Sequence, residues 1–237
     1  MKKAALVTGG AKRMGRVIAL RLAGQGWDIV LHYRSSADDA ERTANDIRRL
    51  GAACHTLRCD LTEMEQVLDL VPRAAEVAEN LELLVNNASV FERSEIAATD
   101  SALYDSQMAI NLRAPFFLLR DFANKCAPGQ VINLVDTRIG RDESSYAAYT
   151  LSKKALAELT RMAAREFAPE LRVNAVAPGL ILPPPAGSGE QFAGMARKVP
   201  LKATGNPDQI ADAVMFLVDS EFITGQVIYV DGGEHLL

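Results

Sequence analysis

Short apolar runs alternate with longer amphipathic stretches along the chain. The apolar runs predict buried strands at 3–8, 28–33, 52–59, 82–86, 130–135, 171–176 and 225–230. Between them, helical periodicity follows the glycine turn at 16–24, precedes the stop at Gly51, resumes after Thr62 and after Thr99, and covers 144–167 and 207–219. Strands that alternate with helices predict an α/β fold on a parallel sheet. Two prolines interrupt this pattern. Pro72 lies inside a helical stretch, where proline costs about 3 kcal/mol, so a kink or a break is expected. Pro115 removes the amide that would bond the Asn111 carbonyl. A bent helix there could hold a water that reaches Lys153, and an ordinary proline kink accounts for the same residues. Residues 182–189 neither continue a strand nor open a helix, so a loop or lid is expected around 180–200.

Composition narrows the class. The chain has 237 residues, 49% of them hydrophobic, and no linker-like run, so one domain spanning 1–237 is expected. A net charge of −4 with mixed signs argues against a nucleic-acid surface. Met1-Lys2-Lys3 passes directly into a strand-like run too short for a signal peptide or membrane span, which predicts a cytoplasmic protein. Cys54, Cys59 and Cys126 lack paired spacing and only three histidines accompany them, so no metal site is expected. Asn87-Ala88-Ser89 matches a glycosylation sequon but abuts a buried-strand pattern.

Candidate chemistry sits at the carboxyl ends of the predicted strands. After the first strand come Gly9, Gly10, Lys12, Arg13, Met14 and Gly15, then a helix. Glycine lets a phosphate approach the backbone, and the free amides of a helix start favour an anion. After the second strand, Arg34, Ser35 and Ser36 stand where a ribose-binding acid is usual, which favours the 2′-phosphate of NADP, with Lys12 and Arg13 adding positive charge. Asp38 and Asp39 fit the first turn of the next helix. Asp60-Leu61 ends the third strand. Asp60 suits either the adenine end of a cofactor or helix capping, a task Thr62 and Glu65 could share as a capping box.

Asp136, Tyr149 and Lys153 form the active-site candidate. Tyr149 and Lys153 lie four apart on one predicted helix, hence on one face. A free phenol ionises near pH ~10, and a neighbouring cation lowers that value, so Lys153 is expected to tune Tyr149. Asp136 follows a strand whose carboxyl end should face the same cleft.

Thr8-Gly9 with Gly15, Asn87-Ala88, Asn111, Tyr149-x-x-x-Lys153, Pro178-Gly179 and Asp231-Gly232-Gly233 resemble, in order and spacing, the short-chain dehydrogenases/reductases. The resemblance implies a single-domain, Rossmann-type doubly wound parallel sheet of order 3-2-1-4-5-6-7 and an NADPH-dependent oxidoreductase. It implies that Tyr149 is the acid, that Lys153 lowers its pKa and holds the nicotinamide ribose, and that Asn111 serves a proton-relay water. Cofactor contacts are implied at Gly9, Lys12, Arg13, Met14, Arg34, Ser35, Asp60, Leu61, Asn87, Ala88, Tyr149, Lys153, Pro178, Gly179 and Leu180. Three departures from the common pattern resemble pteridine and dihydromonapterin reductases: Arg13 in the glycine turn, Ser89-Val90-Phe91 after Asn87-Ala88, and Asp136 in the place of a catalytic serine. They imply a dihydropterin substrate held by Arg13, Ser89, Phe91, Asp136 and Tyr149, with an oxoacyl or sugar carbonyl as the alternative. A family-style homotetramer is also implied.

Overall fold

The computed structural model describes residues 2–183 and 189–237. Seven parallel strands form one sheet: β1 (Ala4–Val7), β2 (Asp28–Tyr33), β3 (Cys54–Arg58), β4 (Leu81–Asn86), β5 (Gly129–Leu134), β6 (Leu171–Pro178) and β7 (Val227–Val230). Their order is β3-β2-β1-β4-β5-β6-β7, as the family resemblance implies. The helices are α1 (Arg13–Gly24), α2 (Ala37–Arg49), α3 (Met64–Val77), α4 (Ser101–Met108), α5 (Ala114–Cys126), α6 (Ala147–Glu166), α7 (Gly189–Ala196) and α8 (Pro207–Asp219).

Both faces of the sheet are covered, so its strands are apolar throughout rather than alternating. Ala5 and Val7 pack with α1, α2 and α8, whereas Ala4 and Leu6 pack with α3 and α5. The strand order reverses between β1 and β4, and side chains just beyond the two strands join there. Thr8 Oγ1 accepts from the amides of Asn87 and Ala88 at 2.9 and 3.0 Å, while Asn87 Nδ2 donates to the Thr8 carbonyl at 2.8 Å. A second polar chain ties α6 to the sheet: Asn86 donates to Asn133 and Asn133 to Thr160, both at 2.9 Å. In so apolar a core each such bond is stronger than at the surface.

Several local expectations need correction. The first helix begins at Arg13 rather than residue 16, since the Lys12 carbonyl accepts from the Arg16 amide at 3.3 Å; Arg13 itself takes a left-handed conformation (φ 54). The Thr62–Glu65 capping box does not form. Thr62 instead donates its amide and hydroxyl to Asp60, and α3 starts at Met64 after an N-cap Glu63 with no side-chain cap. Pro72 does not break α3; the carbonyl it leaves without a partner belongs to Leu68, on the exposed side of the helix. Pro115 is accommodated by a π-helical segment, Ala109–Arg113, which absorbs the missing amide by widening the preceding turn. The Tyr149 helix starts at Ala147, since Tyr146 is held in an isolated bridge to Ser94. Residues 184–188 of the expected lid lie outside the described residues.

Candidate active site

The carboxyl ends of the strands surround a cavity of about 740 Å³. One end is the glycine turn, whose geometry only glycine permits at two positions. Gly9 has φ +63, and a Cβ on Gly15 would lie 2.3 Å from the Gly9 carbonyl oxygen and 2.5 Å from Asn87 Nδ2. His32 supports this turn from below. Its Nδ1 accepts from the Gly9 amide and its Nε2 bonds the Cys59 carbonyl, each at 3.0 Å. The neutral ring with its proton on Nε2 satisfies both partners, and burial lowers its pKa to about 4. Around the turn, Lys12, Arg34 and Ser35 are exposed on the cavity wall, with Ser36 half-buried beside them. Among the described residues, neither Lys12 nor Arg34 pairs with a carboxylate. Close-approach glycines, unpartnered cations and hydroxyls make an anion cradle that fits the phosphates of a dinucleotide, including one on the ribose.

At the other end, α6 brings Tyr149 and Lys153 beneath β5, with Asp136 two residues past the strand. Tyr149 donates its phenolic proton to Asp136 Oδ2 at 2.7 Å, and Asp136 Oδ1 accepts from the Arg138 amide at 2.8 Å. Lys153, 2% exposed, donates to the Leu134 carbonyl at 2.7 Å. The expected tuning of Tyr149 by Lys153 is therefore not what this arrangement gives. Burial and the Asp136 carboxylate push the phenol well above its ordinary value. Burial also raises Asp136, outweighing its hydrogen bonds to Arg138 and Tyr149, and lowers Lys153 to about 8. The group that has gained proton affinity in the acidic range is Asp136.

Residues 9–235 match the family model described as enoyl-(acyl carrier protein) reductase. A variant of a Serratia marcescens short-chain dehydrogenase/reductase superposes with TM-score 0.92 at 29% identity, covering 98% of this chain and 97% of that one. The chain belongs to the short-chain dehydrogenase/reductase family. It is thus an oxidoreductase. The FolM alternative dihydrofolate reductase 1 from Brucella suis, in complex with NADP, is 36% identical with TM-score 0.95, over 99% of this chain and 96% of that one. The 3-oxoacyl-[acyl-carrier-protein] reductase FabG of Staphylococcus epidermidis is 30% identical over the full length of both chains.

Against the site of this short-chain reductase, the predicted residues fall into two groups. Gly9, Lys12, Arg13, Met14, Arg34, Ser35, Leu61, Asn87, Ala88, Ser89, Phe91, Asp136, Tyr149, Lys153, Pro178, Gly179 and Leu180 all line the cavity. Asp60 and Asn111 do not. Asp60 is engaged by Thr62, and nearby Arg34 and Arg58 help hold its carboxyl below the usual range after the Thr62 amide. Asn111 is fully buried and clamps the loop that carries Phe91: its Oδ1 accepts from Ser89 Oγ and the Val90 amide at 3.0 and 2.9 Å, and its Nδ2 donates to the Val90 carbonyl at 3.0 Å. Arg13 donates to the Pro183 carbonyl at 3.0 Å, so it reaches from the glycine turn to the segment leading toward residue 184.

Cavity residues that sequence reasoning did not assign to the site include His32, Arg138, Tyr146 and Glu234. Tyr146 stacks on Phe91 with centroids 4.2 Å apart and planes 7° apart, and the Arg138 guanidinium lies 4.6 Å from the Tyr146 centroid. Phe91 also meets Tyr149 edge-on at 4.6 Å. The available signal for Tyr146 was its place three residues before Tyr149. For His32, an imidazole at a buried-strand end beside a glycine turn was the clue. Phe192 and Met195 of α7 also line the cavity, so the described part of the expected lid contributes to its wall. No group of three or more metal-ligating side chains occurs among the described residues, and no helix there is long and apolar enough to cross a membrane.

Proposed function

We propose that this chain reduces a dihydropterin to its tetrahydro form with NADPH. The observation that carries the reading is the hydrogen bond from Tyr149 to Asp136 in the cavity. Reduction of a ketone builds negative charge on oxygen, which an ionised carboxylate in this place would oppose. A pterin instead offers nitrogen-bound hydrogens, for which a carboxylate is a good acceptor, and a flat ring that suits Phe91. The Arg13 guanidinium is a donor for the ring carbonyl.

NADPH, when bound, supplies the hydride. Lys12, Arg34 and Ser35 would hold its 2′-phosphate, and the Gly9–Gly15 turn its pyrophosphate. Lys153 lies beside Tyr149 and would hold the nicotinamide ribose. The carbon of the ring C=N bond takes the hydride and its nitrogen takes a proton from the Asp136–Tyr149 pair. Asp136 stays ionised as the acceptor for the ring N–H groups, while the phenol passes its proton to nitrogen and takes one back from solvent. The pair ends as it began, as phenol and carboxylate, because a lasting tyrosinate beside an anion in a buried site is disfavoured. Asn111 acts here by holding the Phe91 loop.

Likeness to the Brucella suis protein in both sequence and shape supports this substrate class. The FabG likeness favours a second reading, an oxoacyl or sugar carbonyl reductase. NADPH oxidation with dihydromonapterin, dihydrobiopterin and simple ketones separates the two: the pterins should be turned over and the ketones poorly. Turnover of ketones alone would overturn the proposal. The assembly we infer is a homotetramer, supported by the half-buried edge strand β7 and the exposed Leu236 and Leu237 beside it.

A further inference from the structure

The last residues of the chain reach both walls of the cavity. After β7, Asp231 turns the backbone back toward the sheet. Its Oδ1 accepts from the Gly233 amide at 3.0 Å, and its Oδ2 accepts from the His235 amide at 2.8 Å and from Thr137 Oγ1 at 2.6 Å. Thr137 directly follows Asp136, so one acid of the tail grips the segment that presents the reactive carboxyl. His235 also bonds Asp231 through Nδ1 at 2.8 Å and stacks on Tyr229 of β7, with centroids 4.1 Å apart.

Three residues on, Glu234 grips the opposite wall. Its Oε2 accepts from the Leu180 amide at 3.1 Å, and the approach is so close that a Cβ on Gly179 would lie 2.8 Å from that oxygen. The counter-ion is Arg141 at 3.3 Å, whose guanidinium also bonds the Glu234 carbonyl. Both side chains are largely withdrawn from solvent, at 12% and 13% exposed. Arg141 stands on the same loop as Asp136 and Thr137. Glu234, Gly179, Leu180 and Asp136 all line the cavity.

We propose that Glu234 is a positioning residue: its carboxylate fixes the Leu180 amide, and so sets the Pro178–Leu180 wall of the cofactor cavity relative to the Asp136 wall that Asp231 and Arg141 hold. The tail works as a brace between two loops that share no direct hydrogen bond among the described residues. The placement matches the requirements of hydride transfer, in which small displacements of the reacting groups cost large factors in rate. A carboxylate is the stronger acceptor for an amide, and half-buried Leu180 has no other acceptor in view among the described residues. Burial raises the Glu234 carboxyl above its ordinary range, with Arg141 opposing and Asp136 and Asp231 adding to the rise, as expected of an acid held between charged neighbours.

The inference rests on the proposed cofactor but not on the proposed substrate, so the test reads NADPH binding alone. NADPH fluorescence titration gives the dissociation constant for the wild type, Glu234→Ala and Glu234→Gln. Ala removes the acceptor and should raise Kd about tenfold, the worth of one charge-assisted bond. Gln keeps an oxygen for the Leu180 amide and should restore binding to within about threefold of the wild type. With any substrate that is turned over, kcat should follow the same order. The proposal is overturned if Ala binds NADPH like the wild type while only its melting temperature falls, or if Gln is as impaired as Ala. A wild type that binds NADPH but reduces no pterin would instead overturn the substrate reading and leave the brace standing.

Discussion

Tyr149 donates its proton to Asp136 at 2.7 Å, while Lys153 on the same helix face spends a hydrogen bond on the Leu134 carbonyl at 2.7 Å. The phenol of this site is thus set against an acid. Its proton is held more tightly than in water.

Removing only the phenolic oxygen should separate chemistry from binding. Tyr149→Phe keeps the ring against Phe91 but loses the proton path, so turnover should fall by about 10²–10⁴. NADPH affinity, measured by fluorescence titration, should stay within about twofold of the wild type. Near-normal turnover would mean that solvent protonates the substrate.

The alternation of strands and helices, the glycine turn and many cavity residues were legible in the sequence because each depends on local pattern, while the sheet order came from the family resemblance. What was not legible depends on packing between distant segments. His32 is recognisable as a support only when Gly9 and Cys59 are seen on either side of it. Phe91 and Tyr146 are 55 positions apart, and their stacking follows from the bridge between Ser94 and Tyr146. The tuning of Tyr149 was misjudged because i and i+4 spacing fixes a shared helix face but not which neighbour a side chain bonds. Asp136, from another element, took the phenol.

Cofactor choice should rest on Arg34. Arg34→Ala should raise KM for NADPH about tenfold or more while changing KM for NADH little, since only NADPH carries the group that Arg34 would bind. Equal effects on both cofactors would remove Arg34 from the 2′-phosphate site.

Gly15→Ala should abolish NADPH binding, because the added Cβ meets backbone at 2.3 Å and cannot be relieved by rotating a side chain. The same overlap should lower folding stability by about 1–3 kcal/mol in urea denaturation. A variant that binds NADPH normally would show that the turn relaxes more than its contacts allow.

His32 should make the fold acid-sensitive. Its pKa is lowered from 6.5 to about 4 in the folded state, so below pH 6.5 the unfolded chain takes up a proton that the native one refuses. The stabilising contribution is whole above pH 6.5 and falls as pH drops toward 4, by about 3 kcal/mol in all. NMR should show this imidazole neutral down to about pH 4, as urea midpoints decline over the same interval. An imidazole that titrates near 6.5 in the folded protein would contradict the buried, doubly bonded ring.

The central claim is that Asp136 makes this a reductase of nitrogen heterocycles and not of ketones. The most direct measurement compares wild type and Asp136→Ser in NADPH oxidation with dihydromonapterin and with an acetoacetyl ester. The account predicts that serine lowers pterin turnover by about 10² or more while leaving ketone turnover unchanged or improved, since a hydroxyl can donate to a developing oxyanion where a carboxylate repels it. Pterin turnover by Asp136→Ser equal to that of the wild type would contradict it.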